Sequence, residues 1–258
     1  MVRRALVAAA GAVAAAGVAF AAGPAGPSGY LAPGAFDVMA VLPPAPAEDD
    51  ARAEADRAIF RATRRLVGTS RWTMATNDVK QSSADMMRDF SCAAGVTLTS
   101  DAAPATLAMV TRAAVDTVRR TNAAKEMFKR RRPFLYDEGL LCQPAAELRS
   151  FDYPSGHATL GWTWATLLAW ALPDRATALL ARGRAYGESR VVCGVHNASA
   201  VEAGRLSATA TLDALAGDPA FRRNLAAAHD ELARLHLAPP PSAATCAAEA
   251  ALVAQRIY

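Results

Sequence analysis

Two of the four histidines in this 258-residue chain sit in settings suited to chemistry. His157 ends the run Tyr153-Pro154-Ser155-Gly156-His157, and His196 ends Ser189-Arg190-Val-Val-Cys193-Gly194-Val195-His196. A third segment, Lys125-Glu-Met-Phe-Lys129-Arg130-Arg131-Arg132-Pro133, supplies cations. Lys125 and Arg132 are seven apart, which on a helix is two turns or roughly 10 Å along one face. Pro133 disfavours helix for the residue before it, so Arg132 falls near a helix end. A guanidinium fork and a compact ammonium can then converge on one tetrahedral anion. Alone, this cluster also reads as a solvated basic face.

In the second run Ser155 suits an N-cap and Gly156 permits close backbone approach. The free N–H groups of a helix N-terminus form an anion site. In the third run Gly194 marks a break after a helix, with His196 at the start of the next and Arg190 as a further guanidinium. Each of these two runs is also compatible with a plain structural turn. Together the three describe phosphoryl transfer: cationic side chains neutralise a phosphate while a neutral imidazole attacks phosphorus.

The elements that must hold these groups are helices. Acidic residues near Glu48–Asp50 favour a helix start, and Ile59, Leu66 and Val67 continue it with helical period. Further helices are expected over about 70–79, 83–93, 104–119, 121–131, 158–172, 175–189, 198–216, 219–235 and 242–255. The 158–172 segment is apolar on most sides, as a central buried helix would be; at about 15 residues it is short for a membrane span. No stretch alternates like a strand, and no internal repeat is visible. Pro239-Pro240-Pro241 is a short rigid connector. The fold class read from this pattern is all-α, one helical domain over residues 48–258, preceded by a Pro/Gly-rich arm at 23–47 that Phe36, Met39 and Leu42 pin in places.

Residues 1–22 read as a signal peptide. Arg3 and Arg4 precede an apolar run from Ala5 to Phe20, and Ala19-Phe20-Ala21 offers a small-x-small cleavage site. Periplasmic or secreted localisation follows, with no stable membrane insertion once the segment is removed. Cys92, Cys142, Cys193 and Cys246 are an even set in an exported chain and favour two disulfides, with three pairings open. Their spacing does not suit a zinc site, and no metal is expected. Composition is globular, 52% hydrophobic and 20% charged. A formal charge of +4, two of it from Arg3 and Arg4, is too small to argue for nucleic acid as a specific partner. A homo-oligomer is left open.

The ordered set Lys-x6-Arg-Pro, Pro-Ser-Gly-His and Ser-Arg-x5-His resembles the bacterial class A non-specific acid phosphatases, in the type-2 phosphatidic acid phosphatase superfamily that also holds the vanadium haloperoxidases. The likeness runs over about residues 52–235 and is densest at 148–164 and 182–194. It implies a helical bundle of that type, small phosphomonoester substrates and no cofactor. Lys125, Arg132 and Arg190 would grip the phosphate with the Ser155 hydroxyl and the Gly156 N–H. His196 would be the nucleophile, giving a phosphohistidine, and His157 would protonate the leaving alcohol and then activate water. An acidic optimum fits that use of His157.

One position departs from the pattern. The third motif normally reaches an Asp four residues after its His, and here Ala200 stands there. That carboxylate accepts a hydrogen bond from the nucleophilic imidazole, fixing its tautomer. Ser199, Glu202 or a backbone carbonyl would have to replace it; otherwise the chain is a phosphate or oxyanion binder with little turnover. A vanadate-dependent haloperoxidase is a further alternative in the same pocket, whereas a lipid phosphatase would carry several membrane spans. Glu188 is in reach to steer Arg190. Lys129, Arg130 and Arg131 read as solvated or rim charges, and His229 and His236 as surface or packing residues.

Overall fold

Sixteen residues in a row, 156–171, carry no acid, lysine or arginine, so the helix they form belongs in the interior. In the computed structural model, which describes residues 28–258, this helix is α5 (Gly156–Ala171). Around it pack α4 (Pro104–Phe128), α6 (Ala176–Val192), α7 (Ala198–Leu215) and α8 (Pro219–Leu235). Outside these lie α1 (Ala51–Thr63), α2 (Ser70–Asn77), α3 (Ser83–Ala94) and α9 (Ala243–Ala254). Among the described residues there is no strand, so the all-α expectation holds. The expected signal peptide at 1–22 and the first residues of the expected arm lie outside the described residues.

Local chemistry sets the helix starts. The side chains of Asp50, Thr69, Ser82, Ser155, Asp218 and Ser242 each accept from a backbone N–H in the first turn of the helix that follows. Close approach of α5 and α6 depends on two glycines. A Cβ on Gly161 would fall 2.4 Å from the Tyr186 ring, and one on Gly183 would fall 2.3 Å from Ala165 Cβ. The main core fills the space between these helices with Met86, Phe90, Met109, Trp164, Leu168 and Leu212, all nearly sealed from solvent. Each such side chain contributes about 1.5–3 kcal/mol through burial.

Two expectations change. Segments 104–119 and 121–131 are one helix, because nothing at position 120 interrupts it. Arg120 is buried, pairing with Asp116 one turn back at 3.2 Å. That helix ends at Phe128, where Lys129 turns left-handed with φ 48°, so Arg132 is extended rather than helical. The arm is anchored as expected: Leu42 is buried, and Phe36 and Met39 pack beside it against Tyr153 and Ala200. Tyr30 adds an anchor, its N–H donating to the buried Asp116 carboxylate at 2.6 Å.

The cysteines pair Cys92–Cys246 and Cys142–Cys193. The first ties α9 to α3. The second ties the irregular segment after Arg132 to the end of α6, beside the third motif. Among the described residues no helix is long and apolar enough to cross a membrane.

Candidate active site

The ends of α4, α5 and α6 and the turns beside them converge on one cleft of about 590 Å³. Lys125 comes from the last turn of α4, and Arg132 from the chain as it doubles back after Lys129. Gly156 and His157 open α5, Arg190 lies in the last turn of α6, and His196 sits in the turn between α6 and α7. All six line the cleft. Lys125 and Arg132 therefore converge through a chain reversal, not along one helical face as their spacing suggests. His196 also lies before its helix rather than on it: Gly194 turns with φ 72°, and the N–H groups of Val195 and His196 both donate to the Arg190 carbonyl, at 3.1 and 3.3 Å. That pair of bonds fixes the spacing of Arg190 and His196.

The seventh expected residue, Ser155, is fully buried and caps α5, its hydroxyl accepting from Ala158 N–H at 3.3 Å. It does not line the cleft, though its hydroxyl proton stays free for a further acceptor. Gly156 leaves space on the cleft side; a Cβ there would meet only Lys125 Cε, at 3.8 Å. The Gly156 and His157 amides head the helix, where no carbonyl lies a turn behind them.

Three buried cations face this space, and none has a carboxylate within 4 Å among the described residues. Arg132 donates to Ser150 O at 2.6 Å, Ser150 Oγ at 3.0 Å and Val195 O at 2.8 Å. Lys125 donates to the Phe151 carbonyl. Among the described residues Arg190 donates only to Gln143 Oε1, and its Nε and Nη1 are buried without a partner. The arrangement is costly to its charged groups. Burial, then the Arg132 charge, holds Lys125 down to about 7, and burial holds Arg190 down to about 10. Such a cluster is built to be completed by an anion.

The two imidazoles are kept neutral. Burial drives both well below the usual histidine range, with Arg132, Lys125 and Arg190 adding for His196 and Arg190 foremost for His157. His157 Nε2 lies 3.1 Å from the Val79 carbonyl, an acceptor, so that nitrogen carries a proton and Nδ1 is free for exchange. His196 is the reverse. Its Nε2 lies 3.1 Å from Arg132 Nη1, an obligate donor, so Nε2 holds the lone pair.

Its Nδ1 proton goes to a residue that sequence reasoning missed. Asp152 Oδ1 lies 2.9 Å from His196 Nδ1, and Asp152 is fully buried. The same carboxylate accepts from Asn197 N–H at 3.1 Å and Asn197 Nδ2 at 2.8 Å, and faces Arg130 Nη1 at 3.4 Å. Burial pushes its pKa up to about 6 while Arg130 and the Asn197 bonds pull it down. The replacements expected for the absent Asp are engaged elsewhere. Ser199 bonds to Asp56, Glu202 pairs with Arg52 at the surface, and no backbone carbonyl takes the Nδ1 proton. The only sequence signal was an acid directly before Tyr153-Pro154.

Other charges differ from expectation too. Arg130 is not a solvated rim charge; it is nearly buried, bridging Asp56 at 2.8 Å and Asp152. Arg131 is exposed. Glu188 pairs with Arg184 at 2.6 Å rather than steering Arg190. His229 and His236 are at the surface. Among the described residues no group of three or more His, Cys, Asp or Glu side chains is arranged to hold a metal ion.

The PAP2 superfamily profile matches residues 102–217, the span that carries all three clusters. An acid phosphatase of Zymomonas mobilis subsp. mobilis is 36% identical over 199 residues, covering 76% of this chain and 75% of that one. A non-specific acid phosphatase of Providencia stuartii is 33% identical over 78% of this chain and 83% of its own. One from Salmonella typhimurium is 33% identical over 74% of this chain and 78% of its own. Similarity over most of its length, together with a cationic cleft fed by two neutral imidazoles, makes this chain a phosphoric monoester hydrolase that belongs to the bacterial non-specific acid phosphatases of the PAP2 superfamily.

Proposed function

We propose that the protein is an exported, metal-independent acid phosphatase that hydrolyses small phosphomonoesters through a phosphohistidine at His196. The observation that carries this reading is the Arg190 guanidinium, fully buried with two nitrogens unpartnered, facing a cleft it shares with Lys125 and Arg132. Three cations placed in this way supply the charge stabilisation that a metal would otherwise give a transferring phosphoryl group. The Gly156 amide completes the cradle at the α5 N-terminus, with Ser155 behind it as the N-cap, its hydroxyl proton free to donate.

In the first step His196 Nε2 attacks phosphorus as the ester P–O bond breaks, and the leaving alkoxide takes a proton from His157 Nδ1. In the second, water attacks the phosphorus of the N–P bond, gives its proton to His157, and releases inorganic phosphate and neutral His196. Burial first, and then the field of Arg190, keep His157 neutral in the free enzyme; a bound phosphate dianion offsets that field and so favours the acid form of His157 in the substrate complex. The reading as a binder without turnover rested on a missing acceptor for His196, and a carboxylate at 2.9 Å removes that ground.

Export is supported by the Arg3-Arg4 start, the apolar run and the Ala19-Phe20-Ala21 site, together with two disulfides. The mechanism is tested by acid-stable and acid-labile phosphate analysis after a rapid quench with labelled substrate. Wild type should hold acid-labile, base-stable label, and H196A none. Label persisting in H196A refutes the assignment.

A further inference from the structure

The segments on either side of the His196 imidazole lie against each other. Ser155 N–H donates to the Ala200 carbonyl at 2.8 Å, and Ala200 packs with Tyr153 in one apolar cluster. Residues 152–155 and 197–200 thus form two walls of the same spot, and a carboxylate serving the imidazole can come from either. We infer that Asp152 supplies from the wall before α5 the carboxylate that the third motif lacks at Ala200, and that it is the positioning residue that makes His196 a nucleophile. The inference rests on the proposed phosphohistidine reading.

Three observations carry it. Asp152 Oδ1 meets Nδ1 at 2.9 Å while Arg132, which can only donate, meets Nε2 at 3.1 Å, so the two partners impose one tautomer. The carboxylate is held from behind by Asn197 N–H, Asn197 Nδ2 and Arg130, all donors, which orient it and favour its charged form. Arg130 is itself fixed by Asp56, which also takes Ser199 N–H and so ties α1 to the start of α7. The exchange also explains the alanine. With Asp152 in place, a second buried carboxylate at position 200 would compete for a single imidazole proton and repel the first. Ala200 fills apolar space beside Tyr153 instead.

When His196 attacks phosphorus through Nε2, positive charge spreads to Nδ1, and the carboxylate stabilises it without taking the proton. Loss of such a partner lowers turnover by about 10⁴ in the Ser-His-Asp triad, and by about 10–10² for partners behind a metal-bound histidine. The test is D152N in the full-length enzyme, with N197A as control, since N197A removes one donor to Asp152 and leaves the imidazole contact. In D152N kcat should fall by about 10²–10⁴ with KM changed less than about threefold, and in N197A kcat should fall less than about tenfold. Nitrogen-15 NMR of the wild type, which needs no variant to fold, should show a neutral His196 protonated on Nδ1. A His196 protonated on Nε2 overturns the inference. So does D152N with kcat within about threefold of wild type while His196 is still labelled, or N197A losing as much kcat as D152N. A wild-type enzyme with no label on His196 instead removes the mechanism on which the inference rests.

Discussion

Arg190 should be worth more to the enzyme as a liability than as a structural residue. Its guanidinium is fully buried, its only partner among the described residues is Gln143, and burial holds its pKa down to about 10 from the ordinary 12.5. That depression corresponds to about 3 kcal/mol of folding free energy. The folded value lies below the unfolded one, so the cost vanishes only above the unfolded pKa and is fully present throughout pH 5–8. Replacing Arg190 with Met keeps the length of the side chain and removes the charge. Gln143 then loses a donor, at about 1 kcal/mol, leaving a net gain near 2 kcal/mol. The backbone bonds from Val195 and His196 to the Arg190 carbonyl are untouched. In phosphate-free buffer R190M should melt about 4–8 °C above wild type. The same variant should lose about 10²–10³ in kcat, because one preorganised donor to the transferring phosphoryl group is gone. R190K, which keeps charge but not the fork, should fall between the two. Calorimetry paired with a p-nitrophenyl phosphate assay reads both effects. An R190M protein that melts below wild type and is still stabilised by phosphate as strongly as wild type would refute the claim that this cation is buried for an anion.

Inorganic phosphate at 100 times its dissociation constant should raise stability by about 2.7 kcal/mol, a shift of about 5–11 °C. Sulfate, whose charge does not change near neutral pH, should give a shift that shrinks as pH rises through 7, because Lys125, held down to about 7, becomes neutral there; a sulfate shift that grows with pH counts against Lys125 as a ligand. The Cys142–Cys193 bridge closes a separation of 51 residues, worth about 4 kcal/mol on loop-closure entropy. C142S/C193S should therefore melt lower and lose activity at a lower temperature than wild type, since the bridge anchors the segment carrying Gln143, Ser150 and Asp152. Equal melting curves would place that segment under the control of its hydrogen bonds alone.

What the sequence revealed and concealed follows from the range of the forces involved. Helix positions were readable because period, caps and glycine breaks are local: Pro219–Leu235 matches its expected span, and Ser155 is the N-cap its type suggested. The merging of two expected helices into α4 was not readable, since continuity at Arg120 depends on a buried pair with Asp116 and on contacts with the arm. The six residues lining the cleft could be named because each belongs to a motif whose residue types already suit an anion. Their convergence could not be derived from spacing: Lys125 and Arg132 approach each other through the chain reversal after Lys129, not along one helical face. Asp152 was hidden for a related reason. A search along the chain looks for the missing acid within a turn of His196, at Ser199 or Glu202, because only neighbours on a helix are fixed by sequence distance. Here the acceptor is 44 residues away and arrives through the packing of Tyr153 on Ala200 and the Ser155–Ala200 backbone bond. The imidazole requires a charge at a point in space, not at a position in the chain. A substitution that looks crippling in one motif is therefore informative only after every carboxylate able to reach that point has been counted.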